Sequence, residues 1–115
     1  MTRVKRGIVT KKRHKRLLKK TKGFWGQRKN IFKSAKDTLL RAMAFATKGR
    51  KLKKRDMRAL FISRIAAAAQ SNGISYSKFM HGLTVAQVQL NRKMLSQLAI
   101  FEPQAFQQLA EIAKG

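Results

Sequence analysis

Of the 28 lysines and arginines in this 115-residue chain, 24 fall within residues 1–64, against two acids there, Asp37 and Asp56. Residues 65–115 hold only Lys78, Arg92, Lys93 and Lys114, against Glu102 and Glu111. Like charges at the density of the first half repel one another. That half cannot be compact by itself and needs a polyanion to neutralise it. Phosphate backbones are the abundant intracellular polyanion, which makes nucleic acid the default partner.

The length allows one modest domain plus an extension. With no cysteine, the chain has no disulfide framework, no thiol nucleophile and no cysteine-based zinc site. The start MTRVKRGIVTKKRHKR is basic, but no apolar segment of a secretory signal follows it. It runs directly into the body of the protein and reads as functional sequence. No apolar run approaches the roughly 18 residues of a membrane span.

A single proline, Pro103, and seven glycines punctuate the chain, and good helix formers dominate it. The expected fold class is all-α: a long basic N-terminal helical extension followed by a small helical globular domain. Residues 1–10 read as extended, because Gly7, Ile8, Val9 and Thr10 disfavour an early helix. A short helix over Lys11–Lys22 follows. Lys22–Gly26 (KGFWG) reads as a turn, since glycine permits positive φ. Asn30 offers a cap for a helix carrying Ile31, Phe32, Ala35, Leu39, Ala42, Met43 and Ala46 near helical spacing. Gly49 interrupts this pattern at a cost of ~1 kcal/mol relative to alanine. The pattern resumes through Met57, Leu60, Phe61, Arg64, Ile65 and Ala68. Continuous from Asn30 to Ser71, such a helix would run about 60 Å. Gly73 suits its C-terminal end. Ser75 and Asn91 then read as caps of two further helices. The first carries Phe79, Met80, Leu83 and Ala86. The second carries Met94, Leu95, Leu98 and Ala99 on one face. Pro103 opens a last helix with Phe106, Leu109, Ala110 and Ala113 inward. The expected division is a basic extension over 1–57, disordered until bound to nucleic acid, and a small all-α domain over 58–115.

Catalysis is poorly supported. General acid–base work needs paired carboxylates or a positioned histidine. The four acids are scattered, and there are only two histidines. His14, inside KKRHKR, reads as one more hydrogen-bonding member of a basic run. His81 reads as a histidine near a helix C-terminus, favouring the dipole. No histidine pair has metal-ligand spacing, and no phosphate-binding glycine motif occurs. No cofactor, no metal and no small-molecule substrate is expected.

The basic runs carry the site. Candidate nucleic-acid contacts are Arg3, Lys5 and Arg6; Lys11, Lys12, Arg13, His14, Lys15 and Arg16; Lys19, Lys20 and Lys22; Arg28 and Lys29; and Arg50, Lys53, Lys54, Arg55 and Arg58. A merely solvated face would mix signs for solubility. If ten of these neutralise phosphates, binding should fall with salt at a log–log slope of roughly −7 to −9. Phe24 and Trp25 sit amid the charge. They can stack on bases or sugars, or anchor the segment on a neighbouring apolar surface, and the two alternatives stand level here. Asn91, Arg92 and Lys93 bring a helix N-terminus and two cations together, which suits a phosphate. An ordinary capped surface helix would read the same way.

The order of several stretches resembles one family, protein twenty (L-twenty) of the bacterial-type large ribosomal subunit. They are RVKRG (Arg3–Gly7), RHKRLLKKTKGFWGQR (Arg13–Arg28), KKRDMRALFISRI (Lys53–Ile65), NGISYSKFMHGL (Asn72–Leu83), LNRKMLSQLA (Leu90–Ala99) and EPQAF (Glu102–Phe106). The resemblance implies an extension threading into folded ribosomal RNA and a small helical domain nearer the subunit surface. It implies a structural constituent of the large subunit that binds its RNA directly and supports early assembly. Implied partners are large-subunit ribosomal RNA, neighbouring ribosomal proteins and the chain's own messenger RNA, with no membrane. The implied location is the cytoplasmic ribosome of bacteria, an organelle ribosome being the alternative. Carried onto this chain, the contacts fall on Arg3, Lys5, Arg6, Lys11–Arg16, Trp25, Arg28, Lys53–Arg55, Arg58, Arg92 and Lys93. The rival from another class is a DNA-compacting protein built like a linker histone. Such tails are rich in lysine, alanine and proline; here arginine is frequent and no proline precedes Pro103.

Overall fold

A computed structural model describes residue 3 and residues 5–115. Met1, Thr2 and Val4, part of the segment expected to be extended, lie outside the described residues. The described chain is helical throughout and contains no strand. Its elements are α1 (Gly7–Lys20), a 3-10 turn (Gly26–Lys29), α2 (Phe32–Ser71), α3 (Tyr76–Val85), α4 (Arg92–Phe101) and α5 (Pro103–Lys114). The contacts divide into two compact units, one running up to Arg50 and the other spanning Lys51–Gly115.

Two boundaries differ from expectation. The first helix begins at Gly7 rather than Lys11, with the Thr10 amide donating to the Arg6 carbonyl at 3.1 Å. Glycine costs little at a helix's first position. The β-branched Ile8, Val9 and Thr10 lose only a few tenths of a kcal/mol each, about 0.7 at most. The long helix begins at Phe32, and Asn30 does not cap it. The Asn30 amide closes the 3-10 turn on the Gln27 carbonyl at 3.0 Å, and the Ile31 carbonyl accepts the first α2 bond, from Ala35, at 2.8 Å. Gly49 does not break α2, which is continuous over 40 residues.

In the first unit, α1 keeps one stripe away from solvent. Thr10, His14, Leu17 and Leu18 are half-buried and Thr21 is buried, at intervals of three and four. Phe32, Ala35, Thr38, Leu39 and Ala42 form the corresponding stripe of α2. His14 stacks on Phe32, with ring centroids 3.9 Å apart and planes at 25°. The buried Thr21 hydroxyl donates to the Leu18 carbonyl at 3.2 Å and so leaves no unpaired polar atom at the turn. From Met43 to Leu60 every residue of α2 is exposed. Met43 and Ala46, which fall near the apolar period, therefore lie in the open, Met43 at 58%. A 3.6-residue apolar period shows a stripe, but it does not show that anything covers it.

The second unit has the larger core. Ile65 and Ala69 of α2, Ile74 in the turn after it, Phe79 and Leu83 of α3, Leu95 of α4, and Phe106 and Ala110 of α5 are buried together. Phe79 and Phe106 stack at 5.0 Å. At the end of α2, Gly73 takes φ +71, its amide bonds the Gln70 carbonyl, and the Ile74 amide bonds the Ala69 carbonyl, both at 3.0 Å. This is a Schellman close, sealed by the buried Ile74 and Ala69. The same pair of bonds closes α3, from Gln87 to Thr84 and from Val88 to Leu83, with Gln87 at φ +56. Asn91 caps α4, its side chain accepting from the Met94 amide at 2.9 Å. Ser75 precedes α3 without capping it and contacts the Ser77 hydroxyl instead, at 3.3 Å. Ala86 and Met94, grouped by spacing with the apolar residues of their helices, are exposed: Ala86 lies beyond the last turn of α3, and Met94 follows the Asn91 cap on the solvent side.

Candidate nucleic-acid interface

The interface is built by winding cations around helices that have little else to present. On α1, seven lysines and arginines (Lys11, Lys12, Arg13, Lys15, Arg16, Lys19, Lys20) occupy a little over half the circumference at 100° per residue. The stripe of Thr10, His14, Leu17 and Leu18 fills the remainder. No residue of α1 is buried. Every lysine and arginine from Lys5 to Arg64 is exposed, and so is Arg3. Four carboxylates cannot neutralise 28 cations, so most of this charge has no partner within the chain.

The turn between α1 and α2 holds the aromatic pair. Gly23 and Gly26 adopt φ +85 and +56, values that side-chain-bearing residues adopt rarely and that let the chain reverse around Phe24 and Trp25. Phe24 is half-buried, while Trp25 is 90% exposed. The indole therefore packs on no apolar surface of its own chain. Arg28 and Lys29 follow in the 3-10 turn, both exposed.

Two candidate residues are engaged inside the protein. His14 is half-buried against Phe32, where sequence reasoning had it as a hydrogen-bonding member of the run. Arg92 is half-buried and donates through Nε to the Tyr76 hydroxyl at 3.1 Å, while its neighbour Lys93 is exposed. The Arg92 bond ties the start of α4 to the start of α3. It leaves the terminal guanidinium nitrogens for other partners.

A family described as ribosomal protein L20 matches residues 3–109. The chain belongs to the ribosomal protein L20 family. Curated relatives named large ribosomal subunit protein bL20 are similar across nearly the whole chain. That of Clostridium novyi is 56% identical over 114 residues, covering 99% of this chain and 96% of that protein. Those of Clostridium tetani and Clostridium botulinum are 52% identical with the same coverage. The L20 family is one of ribosomal proteins, not of enzymes. No helix among the described residues is long and apolar enough to cross a membrane.

Within this chain, reading the charge as runs passed over Lys33, Lys36, Arg41 and Arg64, all exposed on α2. They are spaced singly, so no run marks them. Helical periodicity applied to the charges, instead of to the apolar residues, would have found them.

Proposed function

We propose that this chain is a structural constituent of the large ribosomal subunit, in the bacterial cytoplasm, that binds large-subunit ribosomal RNA directly and supports early assembly of the subunit. The observation that carries this is the uninterrupted exposure of every cation from Lys5 to Arg64 on helices with almost no acid to pair with them. Arginine holds phosphate oxygens bidentately and lysine acts as a point charge, so such a surface neutralises RNA helices and lets them approach. Shape, rather than base edges, supplies most of the specificity, because the A-form major groove is too narrow to be read. Trp25, held out between two glycines, supplies a stacking platform that tolerates any base. Residues 1–57 take their fixed form on RNA, and residues 58–115 form a small RNA-binding domain in which Lys93 and the Arg92 guanidinium face phosphates. Neighbouring ribosomal proteins complete the environment, and the family resemblance extends the RNA partner to the chain's own messenger RNA.

The test is competition at raised salt between folded large-subunit ribosomal RNA and duplex DNA. Preference for the RNA that persists as salt rises supports the proposal. Equal or better binding to DNA supports a compaction protein instead.

A further inference from the structure

Between α1 and the first turns of α2 lies an open cleft of about 470 Å³. Arg13, Arg16, Leu17 and Lys20 recur at intervals of three and four, so they share one face of α1. Phe32, Lys36 and Leu39 share a face of α2 in the same way. The half-buried Leu17, Phe32 and Leu39 make an apolar floor, and the four exposed cations stand around it. No carboxylate lines the cleft. The stack of His14 on Phe32 and the buried Ala35 and Thr21 hold the two faces in place.

An apolar floor ringed by cations alone suits a flat apolar body carrying phosphates on either side. The geometry points to this cleft as a seat for a single unstacked nucleotide of the bound RNA. The base lies on Phe32, Leu17 and Leu39, and the flanking phosphates lie on Arg13, Arg16, Lys20 and Lys36. This rests on the RNA-binding proposal above and adds a second base-sized site, apart from Trp25, to a surface that otherwise contacts backbone. The ring of four cations without an acid favours a nucleotide over the apolar anchor of a neighbouring protein.

The experiment uses the full chain and large-subunit ribosomal RNA in filter binding across a salt series. Leu39→Trp fills the floor without removing charge. It should weaken binding at least tenfold and leave the salt slope unchanged. Lys36→Ala removes one phosphate contact and should reduce the slope by about 0.7–0.9. A second measurement needs no variant: ultraviolet irradiation of the wild-type complex should leave a nucleotide adduct on the peptide bearing Phe32. Unchanged affinity for Leu39→Trp, together with adducts only on Phe24 or Trp25, would overturn the nucleotide seat. So would normal RNA binding by Leu39→Trp with failure to enter the subunit, which would assign the cleft to a protein neighbour. Failure of the wild-type chain to bind the RNA at all would sink the broader proposal instead, so the two are separable.

Discussion

Gly82 sets how closely α3 and α5 approach. A Cβ placed there would lie 2.1 Å from the Ala113 carbonyl oxygen and 2.7 Å from its Cα, backbone atoms that cannot swing aside. Gly82→Ala should therefore destabilise the Lys51–Gly115 unit by about 1–3 kcal/mol, the usual cost of overpacking, even though alanine favours helix. Thermal melting followed by near-ultraviolet dichroism would check this. Gln87 presents the opposite case, since it holds a left-handed position with φ +56 at the close of α3. That conformation costs a non-glycine residue about 1–2 kcal/mol, and glycine returns some of it as lost freedom, about 0.5–1. Gln87→Gly should raise stability by about 0.5–1 kcal/mol in the same melts. Trp25 is a third case. Its 90% exposure predicts that Trp25→Ala leaves the melting of residues 58–115 unchanged and impairs incorporation into the large subunit. A large drop in melting temperature would make the indole part of the core.

Among the elements, α1 shows most plainly that its surface is made for charge. Reversing Arg13, Lys15 and Arg16 together should weaken RNA binding and flatten its log–log salt slope by roughly 2, at ~0.7 per phosphate released from single-stranded RNA and ~0.9 from a duplex. Unchanged affinity and slope would mean that this run is only solvated. The helices themselves were legible in the sequence where a local chemical signal marked them. Pro103 at the first position of α5, Gly73 at the close of α2, Asn91 before α4 and the two glycines of KGFWG stand where their conformational preferences put them. Asn30 resembled a cap, but the Ile31 carbonyl is the first acceptor of α2, a one-residue shift that no local pattern marks. The rest of what was not legible depended on partners distant in sequence. The stack of His14 on Phe32 joins residues 18 apart, and the approach of Gly82 to Ala113 joins two helices. Neither leaves a mark on residue spacing. Nor does periodicity reveal whether a stripe is covered: Met43 and Met94 fall on the apolar period and are exposed at 58% and 46%.

For the whole molecule, the consequence of the charge split concerns when each part acquires its form. A helix of 14 residues with no buried residue and seven cations is at or below the length at which helices persist alone in water. Hydrogen exchange in α1 should therefore be fast in the free chain and slow markedly on adding large-subunit ribosomal RNA. The buried amides around Phe79, Leu95 and Phe106 should be protected in both states. Equal protection of α1 with and without RNA would show that the extension folds unaided. The central claim, that this member of the L20 family is an integral part of the large subunit, is tested most directly by sedimentation. Cell lysate washed at high salt is run through a sucrose gradient and the protein is quantified in each fraction. The account predicts near-stoichiometric retention with the large subunit. Release to the top of the gradient, with recovery on chromosomal DNA, would contradict it.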